Sequence, residues 1–94
     1  MRLLLPPVLT IREARDTQRM LSQSLRQDGA ASAEAVVTVD ASALQRFDSA
    51  ALSVLLECQR MARANGRAFA VQHLPPKLTE LARLYGVDGL LQSA

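Results

Sequence analysis

The amino-acid sequence predicts an α/β domain, a small central β-sheet with parallel neighbouring strands and about three to four helices packed on it. Three observations carry this expectation. Amphipathic patterns open near residues 11, 49 and 76, each behind a capping or proline signal. Short β-branched or apolar runs separate them, best developed at 35–40 and 67–73. Those two runs lie about 30 residues apart with a helix between them, the spacing of a parallel βαβ unit.

Leu3-Leu4-Leu5 reads as a short strand, limited to an edge or a strand end by Pro6 and Pro7, which lack the N–H that a ladder requires. Thr10-Ile11-Arg12-Glu13 has the form of a capping box: the Thr10 hydroxyl accepts from an orphan helix N–H while Glu13 reaches back. Such a cap is worth about 1 kcal/mol. A first helix therefore spans about 11–27, with Ile11, Ala14, Gln18, Leu21 and Leu25 in one narrow sector and Asp28-Gly29 as its stop. Its outward side carries Arg12, Arg15, Arg19 and Arg26 within a sector of about 60°. This stripe reads first as a solvated face flecked with Asp16 and Gln23, and second as a docking surface for an acidic partner or phosphates.

Residues 30–34 are small and polar and read as a surface loop. Ala35-Val36-Val37-Thr38-Val39-Asp40 is the most β-prone segment and is expected as a buried central strand. Asp40 and Ser42 bring loop chemistry, Leu44 and Phe47 return apolar weight, and Asp48-Ser49 is a strong N-cap pair. The second helix begins at about Ser49, continues to Ala64 and stops at Asn65-Gly66. Ala51, Val54, Leu55, Cys58, Met61 and Ala62 share an arc of about 120°, its core face. Leu52 and Leu56 lie about 100° from the centre of that arc, in line with Gln59 and Arg63. They form a second, partly apolar stripe that is either flank packing or a partner-binding patch. In the strand at 67–73, Phe69 and Val71 alternate with smaller or polar neighbours. Pro75-Pro76 opens a third helix with Leu78, Leu81, Ala82 and Tyr85 on its apolar side, and Gly86 closes it. Val87-Asp88-Gly89-Leu90-Leu91 reads as a turn and an apolar tail folding back onto the core.

Composition excludes several function classes. With 94 residues and 10.2 kDa, the sequence reads as one domain able to bury about 64% of its extended surface, enough for a core without staples. The lone Cys58 has no partner for an internal disulfide, so a reducing compartment, the cytoplasm, is expected. Eleven Lys and Arg against nine Asp and Glu is nearly balanced and does not point to bulk nucleic-acid binding. Phe47, Phe69 and Tyr85 are too few for a stacking platform. The three-leucine start is shorter than a signal-peptide core, and no run approaches membrane-spanning length.

Catalytic parts are sparse. His73 ends a strand and reads as a surface or capping histidine; Cys58 sits on the core arc and reads as an inert buried thiol. One Cys and one His cannot close a zinc site, and the four glycines punctuate elements without forming a phosphate loop. Asp40 and Asp48 flank a loop at the C-terminal end of a strand, where open α/β sheets bind ligands. Together they have the chemistry to position a metal or a base, but capping and turn roles account for both. No catalysis, metal or cofactor is expected.

The segment Val36-Val37-Thr38-Val39-Asp40-Ala41-Ser42, followed by Phe47-Asp48-Ser49-Ala50-Ala51-Leu52, resembles the STAS domain family of sulphate transporters and anti-sigma-factor antagonists. That family ends a strand in Asp-x-Ser and opens its central helix with Asp-Ser-x-Gly-Leu. The resemblance continues through Gln59-Arg60-Met61-Ala62-Arg63-Ala64-Asn65-Gly66-Arg67 and Leu81-Ala82-Arg83-Leu84-Tyr85-Gly86-Val87. It covers about 35–91, is weaker over the first helix, and implies a single STAS-like domain over 1–94. Within the family the sequence is most similar to the MlaB type, the cytoplasmic STAS subunit of the Mla phospholipid ABC transporter.

The resemblance implies a non-enzymatic accessory subunit that binds, and stabilises or activates, the cytoplasmic ATPase of a phospholipid ABC transporter serving outer-membrane lipid asymmetry. Such a chain is cytoplasmic and peripheral to the inner membrane through its partner. In antagonist-type members the phosphorylated residue is a second serine after the Asp-Ser pair. That position is Ala50, which has no hydroxyl, leaving Ser49 as the modifiable neighbour. MlaB-type members carry a hydroxyl residue followed by alanine, which Ser49-Ala50 matches. Ala51 departs from the family glycine; its methyl favours helix by up to about 1 kcal/mol and is expected to narrow close approach by a partner.

The physical reading places the contact at the start of the second helix, where unpaired N–H groups and a positive dipole end adjoin an apolar ledge. The expected partner-binding residues are Asp48, Ser49, Ala50, Leu52, Leu56 and Arg63. An anti-sigma-factor antagonist that binds an anti-sigma kinase is the alternative, and a nucleotide-binding domain rests on Asp40 and Asp48 alone. The N-terminus is short for a family that commonly starts with a strand pair, which would leave a sheet edge open to self-association.

Overall fold

The computed structural model describes residues 2–28, 36–87 and 89. Arg2–Leu4 forms β1, Val8–Leu9 β2 and Ile11–Asp28 α1. Val37–Asp40 is β3, Arg46–Phe47 is β4 and Ala50–Ala64 is α2. Phe69–Gln72 is β5 and Pro76–Leu84 is α3. The loop expected at 30–34 and the tail at Leu90-Leu91 lie outside the described residues.

β3 is the central strand, with Val37, Val39 and Asp40 all buried. It runs parallel to β1 on one side, with Leu3 opposite Val39, and to β5 on the other, with Val39 opposite Val71. The ladder continues one residue further, where the Leu5 N–H donates to the Asp40 carbonyl at 3.0 Å and the Ala41 N–H to the Gln72 carbonyl at 2.9 Å. Pro6 and Pro7 then end the first strand. The Pro7 carbonyl accepts from the Gln45 and Arg46 N–H groups at 2.8 and 3.0 Å, which starts the small parallel pair of β2 and β4. These two-residue strands escape the sequence pattern because two residues have no period.

The capping box at α1 forms as expected. The Thr10 N–H donates to Glu13 Oε1 at 2.9 Å, and the Arg12 N–H donates to Thr10 Oγ1 at 3.4 Å. Leu21 and Leu25 are buried and Thr17 joins them, but Ile11, expected on the core face, is 74% exposed. In the first turn of α1 it lies beyond the edge of the core. Its backbone N–H donates to Asp48 Oδ2 at 3.1 Å, while further along Ser22 Oγ lies 3.2 Å from Met61 Sδ. With their N-termini side by side and later turns also in contact, α1 and α2 run parallel.

α2 and α3 end alike. Gly66 donates to the Arg63 carbonyl and Arg67 to that of Ala62, each at 2.9 Å; Gly86 donates to Arg83 at 3.0 Å and Val87 to Ala82 at 2.8 Å. Both are Schellman closures, and both glycines sit at φ +70°, a conformation that a Cβ disfavours. Ala51, Val54, Leu55, Cys58 and Ala62 are buried in the core with Leu78 and Ala82 of α3, while Met61 packs at its margin. Each leucine so buried is worth about 1.5–3 kcal/mol. Of the two alternatives for the second stripe of α2, Leu52 follows packing: it is 3% exposed, within the core. Tyr85 corrects the sequence expectation, expected on the core side of α3 and found 58% exposed at its C-cap.

Candidate functional site

The loop after β4 delivers Asp48 and Ser49 to the start of α2. Asp48 does the capping, its Oδ1 accepting the Ala50 N–H at 2.8 Å and its carbonyl the Ala51 N–H at 3.0 Å. Its other carboxylate oxygen takes the Ile11 N–H, so one side chain ties the N-termini of α1 and α2 together. The Ser49 carbonyl accepts from Leu52 and Ser53 at 3.1 and 3.3 Å. The N–H groups of residues 50 to 53, expected to be unpaired, are therefore all satisfied within the chain. Ser49 is exposed, and its hydroxyl makes no capping hydrogen bond.

Two grooves meet at this serine. One, of about 320 Å³, is lined by Ser49, Leu52, Ser53, Leu56, Tyr85 and Val87. The other, of about 280 Å³, runs between Ile11 and Ala14 of α1 and the residues Asp48, Ser49, Ala50 and Ser53. Ser49 and Ser53, one helical turn apart, form a hydroxyl-bearing ridge between two partly apolar channels. Exposed Ile11 and Tyr85 stand at the outer walls.

The expected residues divide at this surface. Asp48, Ser49 and Leu56 come together there, and Leu52 contributes to the groove floor from the core. Ala50 is 7% exposed and Ala51 is fully buried, so the methyl at 51 meets the interior and not an approaching partner. Arg63 is exposed on the same side of α2 but stands about 21 Å along the axis from Ser49, outside both grooves. Ile11, Ser53 and Tyr85 were not singled out as site residues. A hydrophobic residue directly after an N-cap and a lone tyrosine beside a closing glycine are the signals they offered.

The carboxylates do not form a catalytic pair. Asp48 is engaged as described. Asp40 is 5% exposed, bonded to the Arg2 guanidinium, to the Ser42 N–H at 2.9 Å and to His73 Nδ1 at 3.1 Å. The Arg2 hydrogen bond, followed by those from Ser42 and His73, holds its carboxyl well below the usual carboxylate range. His73 makes this contact from φ +59°, a left-handed conformation that non-glycine residues adopt infrequently. Cys58 is fully buried, and desolvation, with a smaller push from Glu57, raises its thiol to about 12, far from nucleophilic. Among the described residues no three His, Cys, Asp or Glu side chains converge on a metal-sized site, and no helix is long and apolar enough to cross a membrane.

Comparison with known proteins bears on the fold and the family. A solved STAS domain protein from Planctomyces limnophilus, an anti-sigma-factor antagonist, superimposes with a TM-score of 0.79 at 14% identity, covering 98% of this chain and 79% of that one. A candidate anti-sigma factor antagonist from Thermotoga maritima gives a TM-score of 0.77 at 18% identity, covering 98% and 77%. At these identities the likeness is one of fold. No curated protein matches the sequence. A family model described as the MlaB STAS domain matches residues 6–92, and the chain belongs to that STAS domain family.

Proposed function

We propose that this chain is an accessory subunit that docks onto the cytoplasmic ATPase of a phospholipid ABC transporter and stabilises or activates it without chemistry of its own. The observation that carries this reading is the Ser49–Ser53 ridge, with an exposed hydroxyl that capping does not consume, set between two grooves with apolar walls. A surface with spare hydrogen-bonding capacity beside apolar recesses suits a protein partner. The carboxylates of Asp40 and Asp48 are committed to donors of the chain itself and do not suit a substrate. Membership of the MlaB-type family supports the choice of an ABC transporter ATPase, with the chain held at the inner membrane through it. In the test, Ser49→Glu, alone and with Leu56→Lys, is co-expressed with that ATPase subunit. Co-purification is expected to be lost while the circular-dichroism spectrum of the isolated chain is unchanged; retention of the complex by the double variant removes the reading.

A second reading is an anti-sigma-factor antagonist, favoured by the names carried by the two structural neighbours and by the free Ser49 hydroxyl. It requires the switch to sit on Ser49, since Ala50 is buried and has no hydroxyl. Stoichiometric phosphorylation of Ser49 by an anti-sigma kinase, abolished in Ser49→Ala, would establish it.

A further inference from the structure

The row Arg12, Arg15, Arg19 and Arg26 on α1 is exposed along its whole length. Among the described residues none of the four guanidinium groups makes a hydrogen bond or ion pair. The row is about 21 Å long. Glu13 is bonded to Thr10 at the cap, and among the described side chains of α1 Asp16 is the exposed acid. The row also lies next to the docking surface. Ile11 and Ala14, the immediate neighbours of Arg12 and Arg15, line the groove shared with Ser49. Ser22, which fills the gap between Arg19 and Arg26, touches Met61 of α2. Because α1 and α2 run parallel, the outward faces of both helices form one surface: on α2 the hydroxyls of Ser49 and Ser53 and the apolar Leu56, with the Glu57–Arg60 ion pair and Arg63 further along, and on α1 the arginine row.

We propose that Arg12, Arg15, Arg19 and Arg26 are the electrostatic half of the docking surface and receive an acidic helix of the docked protein. The inference rests on the docking reading above and adds the chemistry of the partner's face. The spacing of 12, 15, 19, 22 and 26 is the alternating three and four of a seam along which a second helix lies. Arginine forks pair with carboxylates in fixed geometry, and arginine is enriched in protein interfaces. An anionic membrane is the weaker fit, because the apolar side of α1 is committed to the core through Leu21 and Leu25, and its exposed Ile11 and Met20 lie about 180° apart around the helix and do not insert together. A single row is also narrow for a plane of headgroups.

The test measures association of the chain with the purified ATPase subunit by stopped flow, from about 0.05 to 0.3 M salt. It uses wild type, Arg15→Glu/Arg19→Glu and Arg15→Gln/Arg19→Gln, each checked for helix content. Charges at the rim of an interface act chiefly on association rate. The charge reversal is expected to slow association about tenfold at low salt, with the neutral variant between, and the difference should shrink as salt rises. Equal rates for all three proteins overturn the inference and leave the docking reading standing. Failure of wild type to bind the ATPase subunit removes the docking reading and this inference with it. Arginine-dependent co-sedimentation with phosphatidylethanolamine–phosphatidylglycerol vesicles, with unaltered binding to the ATPase subunit, assigns the row to a membrane and overturns the acidic-helix assignment.

Discussion

At the scale of single residues, two aspartates fix the geometry on which the surface depends. Asp48 accepts backbone N–H groups from the first turns of both α1 and α2. Asp48→Ala leaves both without this acceptor and is expected to lower unfolding free energy by about 1–2 kcal/mol in urea titrations. Asp48→Asn, with one acceptor oxygen, should fall between. Asp40 acts through its charge. Its folded carboxyl titrates below the ordinary value, so its contribution is fully present above about pH 4 and is lost as pH falls through the depressed folded value. Thermal melts from about pH 6 down to 2 should show wild type losing its margin over Asp40→Asn as the medium becomes acidic; a constant difference would contradict this role.

At the scale of elements, the helix ends were the most legible part of the sequence because they are specified locally. Thr10 with Glu13, and Asn65 with Gly66, each fix a boundary from within four residues. Gly66 and Gly86 meet no atom within 4 Å at a Cβ position, so their requirement is conformational and not steric. Gly66→Ala is accordingly expected to cost about 1–2 kcal/mol, read as a lower urea midpoint with unchanged slope. What the sequence misjudged depends on neighbours distant in the chain. Leu52 lies off the core arc of α2 by helical angle, yet the groove beyond it is walled by Tyr85 and Val87 from the end of α3, and it is buried. Ile11 has the right angle for the core but lies in the first turn of α1, at the end of the helix where the packing gives out. β2 and β4 pair across segments distant in the chain, beginning where the Pro7 carbonyl accepts from residues 45 and 46.

At the scale of the whole molecule, the placement of the candidate surface follows from the parallel sheet order β1-β3-β5. Strands that run one way, each leading into a helix, place the N-termini of α1 and α2 at the same end, where Asp48 joins them. The core is complete without Ser49, Ser53, Ile11 or the α1 arginines, so these side chains are free to meet a partner. The position of the candidate site was readable from the Asp48-Ser49 pair, whereas its walls, from α1 and the end of α3, needed the fold. The central claim is that a partner protein covers this end of α2. Amide hydrogen exchange of the chain, alone and bound to the transporter ATPase subunit, tests it most directly. New protection is expected over residues 49–56 and 11–19, with the outer strands β1 and β5 unchanged; protection confined to those strands or to α3, with none at 49–56, would show that the partner sits elsewhere.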